Sequence, residues 1–118
     1  IEGQGSLFHP SFSGVTMALI HGGQPDALVL AHEPTRTHMR GLPGYPIPSL
    51  EALGDMALPL ARIVNPEVQV IGVSVNTKAL SDADAAECCA HIEARLGIPA
   101  TDPYRHGAAK LIDALQAL

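Results

Sequence analysis

Two short runs in which nearly every residue is apolar constrain the fold of this chain most strongly. The runs cover Asp26–Ala31 and Val68–Val75. Continuous apolarity, as opposed to alternation, is typical of strands that are covered on both faces, as they are in a parallel sheet. We predict two shorter strands at Ile98–Thr101 and at Ile1–Glu2, the second being the end of a strand that starts upstream.

Segments with helical periodicity lie between the predicted strands. Ser49 and Ser81 are candidate N-caps, and Gly97 is a candidate helix stop. The predicted helices are Ser13–His21, Ser49–Val64, Ser81–Gly97 and Ala108–Leu115. Alternating strands and helices imply right-handed crossovers. We therefore predict an α/β fold, a three-layer parallel sheet of four strands with helices on both faces.

Length, charge and cysteine content restrict the class of protein. The 118 residues are expected to form one α/β domain, 1–118, and the chain begins without Met, so we interpret it as the C-terminal portion of a longer protein. The net charge of −5 argues against nucleic-acid binding, and no apolar run is long enough to span a bilayer. Cys88 and Cys89 are adjacent and cannot join distant segments, which favours a reducing, cytoplasmic location and a packing role for both.

Polar residues cluster where the predicted strands end. Ligands of open α/β sheets bind beyond the carboxyl ends of the strands. The segments in that position are Glu2–Ser11, His32–Pro48, Asn76–Leu80 and Thr101–Gly107. We expect the functional residues among them.

The first of these segments places a carboxylate at a predicted strand end. Glu2 is followed by Gly3 and Gly5, which let the backbone approach a ligand closely. Such an acid either holds Mg²⁺ through water or acts as a general base, and the alternative is a turn with an incidental acid. His9 is either a proton acceptor or a loop residue that faces water.

The segment His32–Gly41 is the most polar in the chain. Arg36 and Arg40, four residues apart, form a candidate clamp for a carboxylate or a phosphate, and a solvated loop is the competing interpretation. We expect Gly41–Pro48 to fold over a site or to pack at a subunit contact. The ligands of a metal site here would be His32, Glu33 and His38. Their spacing matches no standard zinc pattern, so we predict no metal site.

The loops after the later strands hold further candidates. Asn76 offers a donor and an acceptor together, so it either reads the edge of a purine or closes an Asx turn before the Ser81 cap. Capping of a helix explains Asp102 and Pro103, whereas Arg105 is a candidate phosphate contact.

Several motifs together resemble one family. They are Ile1–Pro10, Ser13–Thr16, Gln24–Ala27, His32–Arg36, Gly72–Thr77 and Asp102–Gly107. These motifs are similar to the C-terminal domain of the D-glutamate N-acetyltransferase family, formerly a domain of unknown function with a P-loop NTPase-like fold, and more loosely to dethiobiotin synthetase. In that fold the loop that cradles phosphate precedes the Glu-Gly segment. The chain contains no G-x-x-x-x-G-K-[ST], so the resemblance implies that it lacks the N-terminal P-loop part.

The resemblance implies acetyl transfer from acetyl-CoA to the amino group of D-glutamate or a related D-amino acid. A general base must take a proton from the amine, and the candidates are Glu2 and His9. The implied substrate-binding residues are Arg36, Arg40, His32, Gly3, Gly5 and Ser6. The implied cofactor-binding residues are Asn76, Thr77 and Arg105.

Two other interpretations remain open. The first is a ligase or NTPase of the dethiobiotin synthetase type, which uses Mg²⁺ and ATP and places Glu2 on the metal. The second is a non-catalytic module that binds a nucleotide or forms oligomers. We expect as partners a small amino acid substrate, the protein's own N-terminal domain and further copies of the chain, but no nucleic acid and no membrane.

Overall fold

The structure is a computed structural model that describes residues 1–3 and 6–118. Its helices are α1 Ser13–Gly23, α2 Leu50–Arg62, α3 Asp82–Leu96, α4 Pro103–His106 and α5 Ala109–Gln116. Its strands are β1 Ala27–His32, β2 His38–Met39, β3 Leu42–Pro46, β4 Gln69–Val75 and β5 Ala100–Thr101. No helix in the two described ranges is long and apolar enough to cross a membrane.

The three strands β1, β4 and β5 form one sheet in that order. β4 and β5 are parallel, with Val73 opposite Ala100 in the ladder. In the central strand β4, Ile71, Val73 and Val75 are all buried. The α/β class and the two principal strands, β1 and β4, are confirmed by the parallel sheet and by the helices between its strands.

The predicted strand at Ile1–Glu2 is wrong, because the backbone there forms no ladder and both residues are exposed. Within residues 1–3 and 6–118 the parallel sheet has three strands, not four. A strand requires a neighbouring strand whose backbone pairs with its N–H and C=O groups. The two residues Ile1 and Glu2 contain no information about such a neighbour.

A short antiparallel hairpin, β2 paired with β3, was not expected from the sequence. Met39 lies opposite Leu42, and the ladder is irregular next to His38. Gly41 turns the chain between the strands with φ of +75°, a conformation that side chains with a Cβ rarely adopt. The segment Gly41–Pro48, predicted to fold over a site or to pack at a subunit contact, contributes the strand β3.

The predicted helix caps are confirmed. The Ser49 hydroxyl accepts a hydrogen bond from the backbone N–H of Ala52 at 3.1 Å at the start of α2. The Ser81 hydroxyl accepts from the Asp84 N–H at 3.1 Å, which caps α3, and it donates to the Asp84 carboxylate at 2.7 Å. Gly97 ends α3 in the left-handed conformation with φ of 69°.

The chain divides into two compact units. The first unit comprises Ile1–Leu28 and His38–Val70, and within it α1 packs on α2, with the imidazole of His21 2.9 Å from the Leu60 carbonyl. The second unit comprises Val29–Thr37 and Ile71–Leu118, and within it α3 and α5 both pack on β5.

Candidate functional site

An open cavity of about 1070 Å³ lies within the second unit. Three chain segments line it, and each lies at the carboxyl end of one strand of the parallel sheet. His32 ends β1, and Glu33 and Arg36 follow it; Asn76 and Lys78 follow β4, and Asp102 to Arg105 follow β5. The cavity therefore occupies the carboxyl end of the sheet, where open α/β folds bind ligands.

A buried carboxylate, that of Asp102, joins the loops after β4 and β5. It accepts hydrogen bonds from the backbone N–H groups of Thr77 at 3.0 Å, Tyr104 at 2.9 Å and Arg105 at 3.2 Å. The Thr77 hydroxyl also donates to it. The hydrogen bonds from Thr77 and the other donors outweigh burial and lower the pKa of Asp102 to about 2, so the carboxylate stays ionised at neutral pH.

The guanidinium of Arg105 joins the same two loops. Its Nη2 donates to the backbone carbonyls of Leu80 at 2.7 Å and Thr77 at 3.2 Å, and its Nη1 donates to Asp82. Its Nε is 3.9 Å from the Asp102 carboxylate. Arg105 and the buried Thr77, both predicted to bind a cofactor, thus have protein partners that shape the cavity wall. Their contact with a cofactor stays a prediction.

Asn76, Lys78 and Tyr104 line the cavity and are exposed. The Asn76 side chain accepts from the Lys78 backbone N–H at 3.1 Å, which is the Asx turn that the sequence suggested. Its Nδ2 has no protein partner among the described residues. The Tyr104 side chain is 99% exposed, although its backbone N–H is held by Asp102.

The segment after β1 contributes charges that are already paired. Arg36 Nη2 lies 2.6 Å from the Glu33 carboxylate. Burial lowers the pKa of His32, and the positive charge of Arg95 lowers it further, so the imidazole is neutral at pH 7. The His32 carbonyl accepts from the Asn76 N–H at 2.8 Å, which ties this segment to the loop after β4.

The first unit holds the other residues that the sequence singled out. Glu2 and Arg40 are exposed. Gly3 is close to the side chain of Leu19, where an added Cβ would collide with it. The Ser6 hydroxyl accepts from the Phe8 N–H at 3.1 Å. Gly5, a predicted substrate-binding residue, lies outside the described residues.

The imidazole of His9 is buried, so the expectation of a loop residue facing water is wrong. Its Nδ1 accepts from the Ser11 N–H at 3.1 Å, and its Nε2 lies 3.4 Å from the Arg40 carbonyl. Because Nδ1 is the acceptor, the proton belongs on Nε2, which then donates to that carbonyl. The ring also contacts Phe12, with the ring centroids 4.8 Å apart. In this arrangement neither nitrogen offers a free lone pair to a substrate.

The structure thus brings four of the predicted site residues to one cavity: His32, Arg36, Asn76 and Arg105. It also places there two residues to which the sequence analysis assigned no role, Lys78 and Tyr104. An aromatic residue in a polar segment that directly follows a strand is the pattern that would have indicated Tyr104. Lys78 would have been indicated by its position two residues after Asn76, the predicted amide contact.

Known proteins resemble this chain over nearly its whole length. A family described as "Domain of unknown function (DUF1611_C) P-loop domain" matches residues 1–112. A D-glutamate N-acetyltransferase of Tritonibacter scottomollicae is 64% identical over 118 residues, which are 100% of this chain and 35% of the relative. A protein of the same name from a Pseudoalteromonas species is 46% identical over 112 residues, which are 95% of this chain and 34% of the relative.

A solved structure shows the same fold. The crystal structure of a DUF1611 family protein from Anabaena variabilis matches with a TM-score of 0.92 and 41% identity, over 100% of this chain and 34% of that one. The chain therefore spans about a third of the length of the curated relatives that it matches. Because the family match covers almost every residue and the structural match covers all of them, the chain belongs to the DUF1611 family, as its C-terminal P-loop domain.

Proposed function

We propose that this chain is the C-terminal part of an N-acyltransferase that moves an acetyl group from acetyl-CoA to the amino group of D-glutamate or a related D-amino acid. The observation that carries the proposal is the 64% identity, over all 118 residues, to a relative named D-glutamate N-acetyltransferase. Identity of this extent, with no gap in coverage, supports a shared reaction as well as a shared fold.

The reaction requires a base and two binding regions. An ammonium group has no lone pair, so a base must remove its proton before the nitrogen attacks the thioester carbonyl; the C–N bond then forms, the C–S bond breaks and coenzyme A leaves as the thiol. Glu2 is the proposed base because its side chain is exposed, whereas the nitrogens of His9 are both engaged. The exposed Arg40 is the proposed contact for a substrate carboxylate.

The cavity of the second unit supports the proposed acyl donor. Acetyl-CoA carries an adenine, and the free Nδ2 of Asn76 can donate a hydrogen bond to the edge of a purine. The paired Arg36 and the neutral His32 leave the adjoining wall only weakly charged. This cavity is the proposed place for the nucleotide part of acetyl-CoA.

A turnover assay of the full-length protein tests the reaction. D-glutamate and acetyl-CoA are supplied with and without ATP and Mg²⁺, and the acetylated amino acid is followed by mass spectrometry. We expect product without ATP and Mg²⁺, because a thioester is already activated. Product that forms only when ATP and Mg²⁺ are present would contradict acetyl transfer and favour the ligase interpretation.

The substitution Glu2→Gln tests the base. We expect kcat to fall by about a hundredfold or more, since a general base contributes on the order of 10²–10⁴ in rate. Glu87→Gln is the matched control, because Glu87 is an exposed glutamate on α3. Unchanged turnover in Glu2→Gln would remove Glu2 from the mechanism.

A further inference from the structure

One cation in the cavity lacks an ion pair. Arg36 is paired with Glu33, Arg105 is held by Asp82 and two carbonyls, and a lowered pKa keeps His32 neutral. Among the described residues, the exposed Lys78 has no carboxylate within salt-bridge distance of its ammonium group. An unpaired ammonium at the mouth of a cavity, in a chain of net charge −5, is a contact for an anionic ligand.

One aromatic ring of the cavity, that of Tyr104, has no packing partner in the part of the chain that the structure describes. The Tyr104 side chain is 99% exposed, yet its backbone is fixed, because Asp102 accepts from the N–H groups of both Tyr104 and Arg105. An exposed flat ring on a fixed stretch of backbone at the cavity offers a face on which a planar ligand group can stack.

These two groups line the same cavity as the free amide of Asn76. A stacking face, a hydrogen-bonding edge and a cation together match a purine nucleotide with its phosphates. We propose that Tyr104 stacks on the base and Lys78 binds a phosphate of the nucleotide end of the acyl donor, so that both residues set the affinity for acetyl-CoA. This inference rests on the proposed acetyl transfer, and D-glutamate has no planar ring that could stack on Tyr104.

Steady-state kinetics of the full-length protein test the inference. We expect Lys78→Ala and Tyr104→Ala each to raise the KM for acetyl-CoA about tenfold, a change typical of one lost stacking or phosphate contact, while kcat and the KM for D-glutamate change less than about twofold. Tyr104→Phe keeps the ring and should keep the wild-type KM. The controls are Lys110→Ala, which removes the same charge outside the cavity, and Tyr45→Ala, which removes an exposed ring from the β3 strand.

Kinetics with a second acyl donor, 3′-dephospho-acetyl-CoA, show which phosphate of acetyl-CoA Lys78 binds. If Lys78 binds the 3′-phosphate, the Lys78→Ala effect should vanish with 3′-dephospho-acetyl-CoA; if it binds the diphosphate, the effect should persist. Either result supports the proposal.

Two outcomes overturn it: an unchanged KM for acetyl-CoA in either alanine variant of an active enzyme, or an equal rise in the KM for both substrates. If the wild type shows no acetyl transfer, the proposed function fails instead. Calorimetric titration with coenzyme A then decides the inference separately, because equal binding by wild type and both variants contradicts it.

Discussion

At the residue scale, the second unit buries a negatively charged side chain, the carboxylate of Asp102. The Asp102 carboxylate is ionised because backbone and hydroxyl donors replace the water that it loses. Such an arrangement stabilises the fold only while every donor is present, since an unpaired buried acceptor is costly. The Thr77 hydroxyl is the donor that a single substitution removes most cleanly.

We expect Thr77→Val to lower the free energy of unfolding by about 1–3 kcal/mol, because valine keeps the shape and loses the donor to Asp102. Thr77→Ser, which keeps the hydroxyl, is the matched variant and should lose less. Urea denaturation followed by circular dichroism measures both. Equal stability of the valine and serine variants would show that the hydroxyl contributes nothing to the fold.

The two cysteines of α3 provide a second test at this scale. Burial raises the pKa of both thiols, and for Cys88 the nearby Arg95 opposes the rise only in part. The thiolate is the reactive form, so we expect iodoacetamide at pH 7.5 to label Cys88 and Cys89 more slowly than it labels glutathione. Labelling in urea provides the control. Labelling of the folded protein as fast as that of glutathione would contradict the packing role.

At the element scale, the helix ends could be predicted from the sequence because they depend on local interactions. Ser49, Ser81 and Gly97 mark helix ends because a cap needs only a few neighbouring residues. The β2–β3 hairpin was missed because β2 has only two residues, too few for a strand pattern to be visible.

The site was predictable only in part, because some of its properties depend on contacts between residues that are far apart in the sequence. The rule that ligands bind at strand ends identified the segments that line the cavity, including Asn76. The exposure of Tyr104 and the lack of an ion pair at Lys78 depend on which groups other loops already engage. The sequence also could not show that His9 is buried with both nitrogens occupied, because its partner Arg40 is 31 residues away.

The packing of β4 depends on one glycine. A Cβ at Gly72 would lie 2.8 Å from the Pro99 carbonyl oxygen and would collide with the Leu111 side chain of α5. The backbone of Pro99 cannot move aside as the end of a flexible side chain can. We therefore expect Gly72→Ala to lower the free energy of unfolding by about 1–3 kcal/mol.

Gly14→Ala is the contrasting substitution, because a Cβ there would meet nothing within 4 Å in helix α1. We expect it to be neutral or to raise stability by about 0.4–1 kcal/mol. Thermal and urea denaturation measure both variants side by side. Equal stability of the Gly72→Ala variant and the wild type would mean that the contact of β4 with Pro99 and α5 is looser than the structure shows.

At the scale of the whole molecule, acidic groups set the dependence of stability on pH. The pKa of Asp102 falls from 3.8 to about 2, and that of Glu93 is lowered by hydrogen bonds from Lys110 and the Ala100 N–H. A carboxyl with a lowered pKa in the folded state binds fewer protons there than in the unfolded chain. Its contribution is therefore present at neutral pH and is lost on acidification.

We expect the free energy of unfolding to fall as the pH drops from about 5 to about 2, with Asp102 alone accounting for about 2 kcal/mol of the fall. The Asp102→Asn variant should be less stable at pH 7 and should show a flatter acidic limb, because its amide does not titrate. Urea denaturation at half-unit steps of pH measures both curves, with Asp113→Asn, an exposed acid on α5, as the control. Parallel acidic limbs in wild type and Asp102→Asn would mean that the Asp102 carboxylate titrates alike in the folded and unfolded chains. The hydrogen bonds that join the loops after β4 and β5 would then not be what favours its charge.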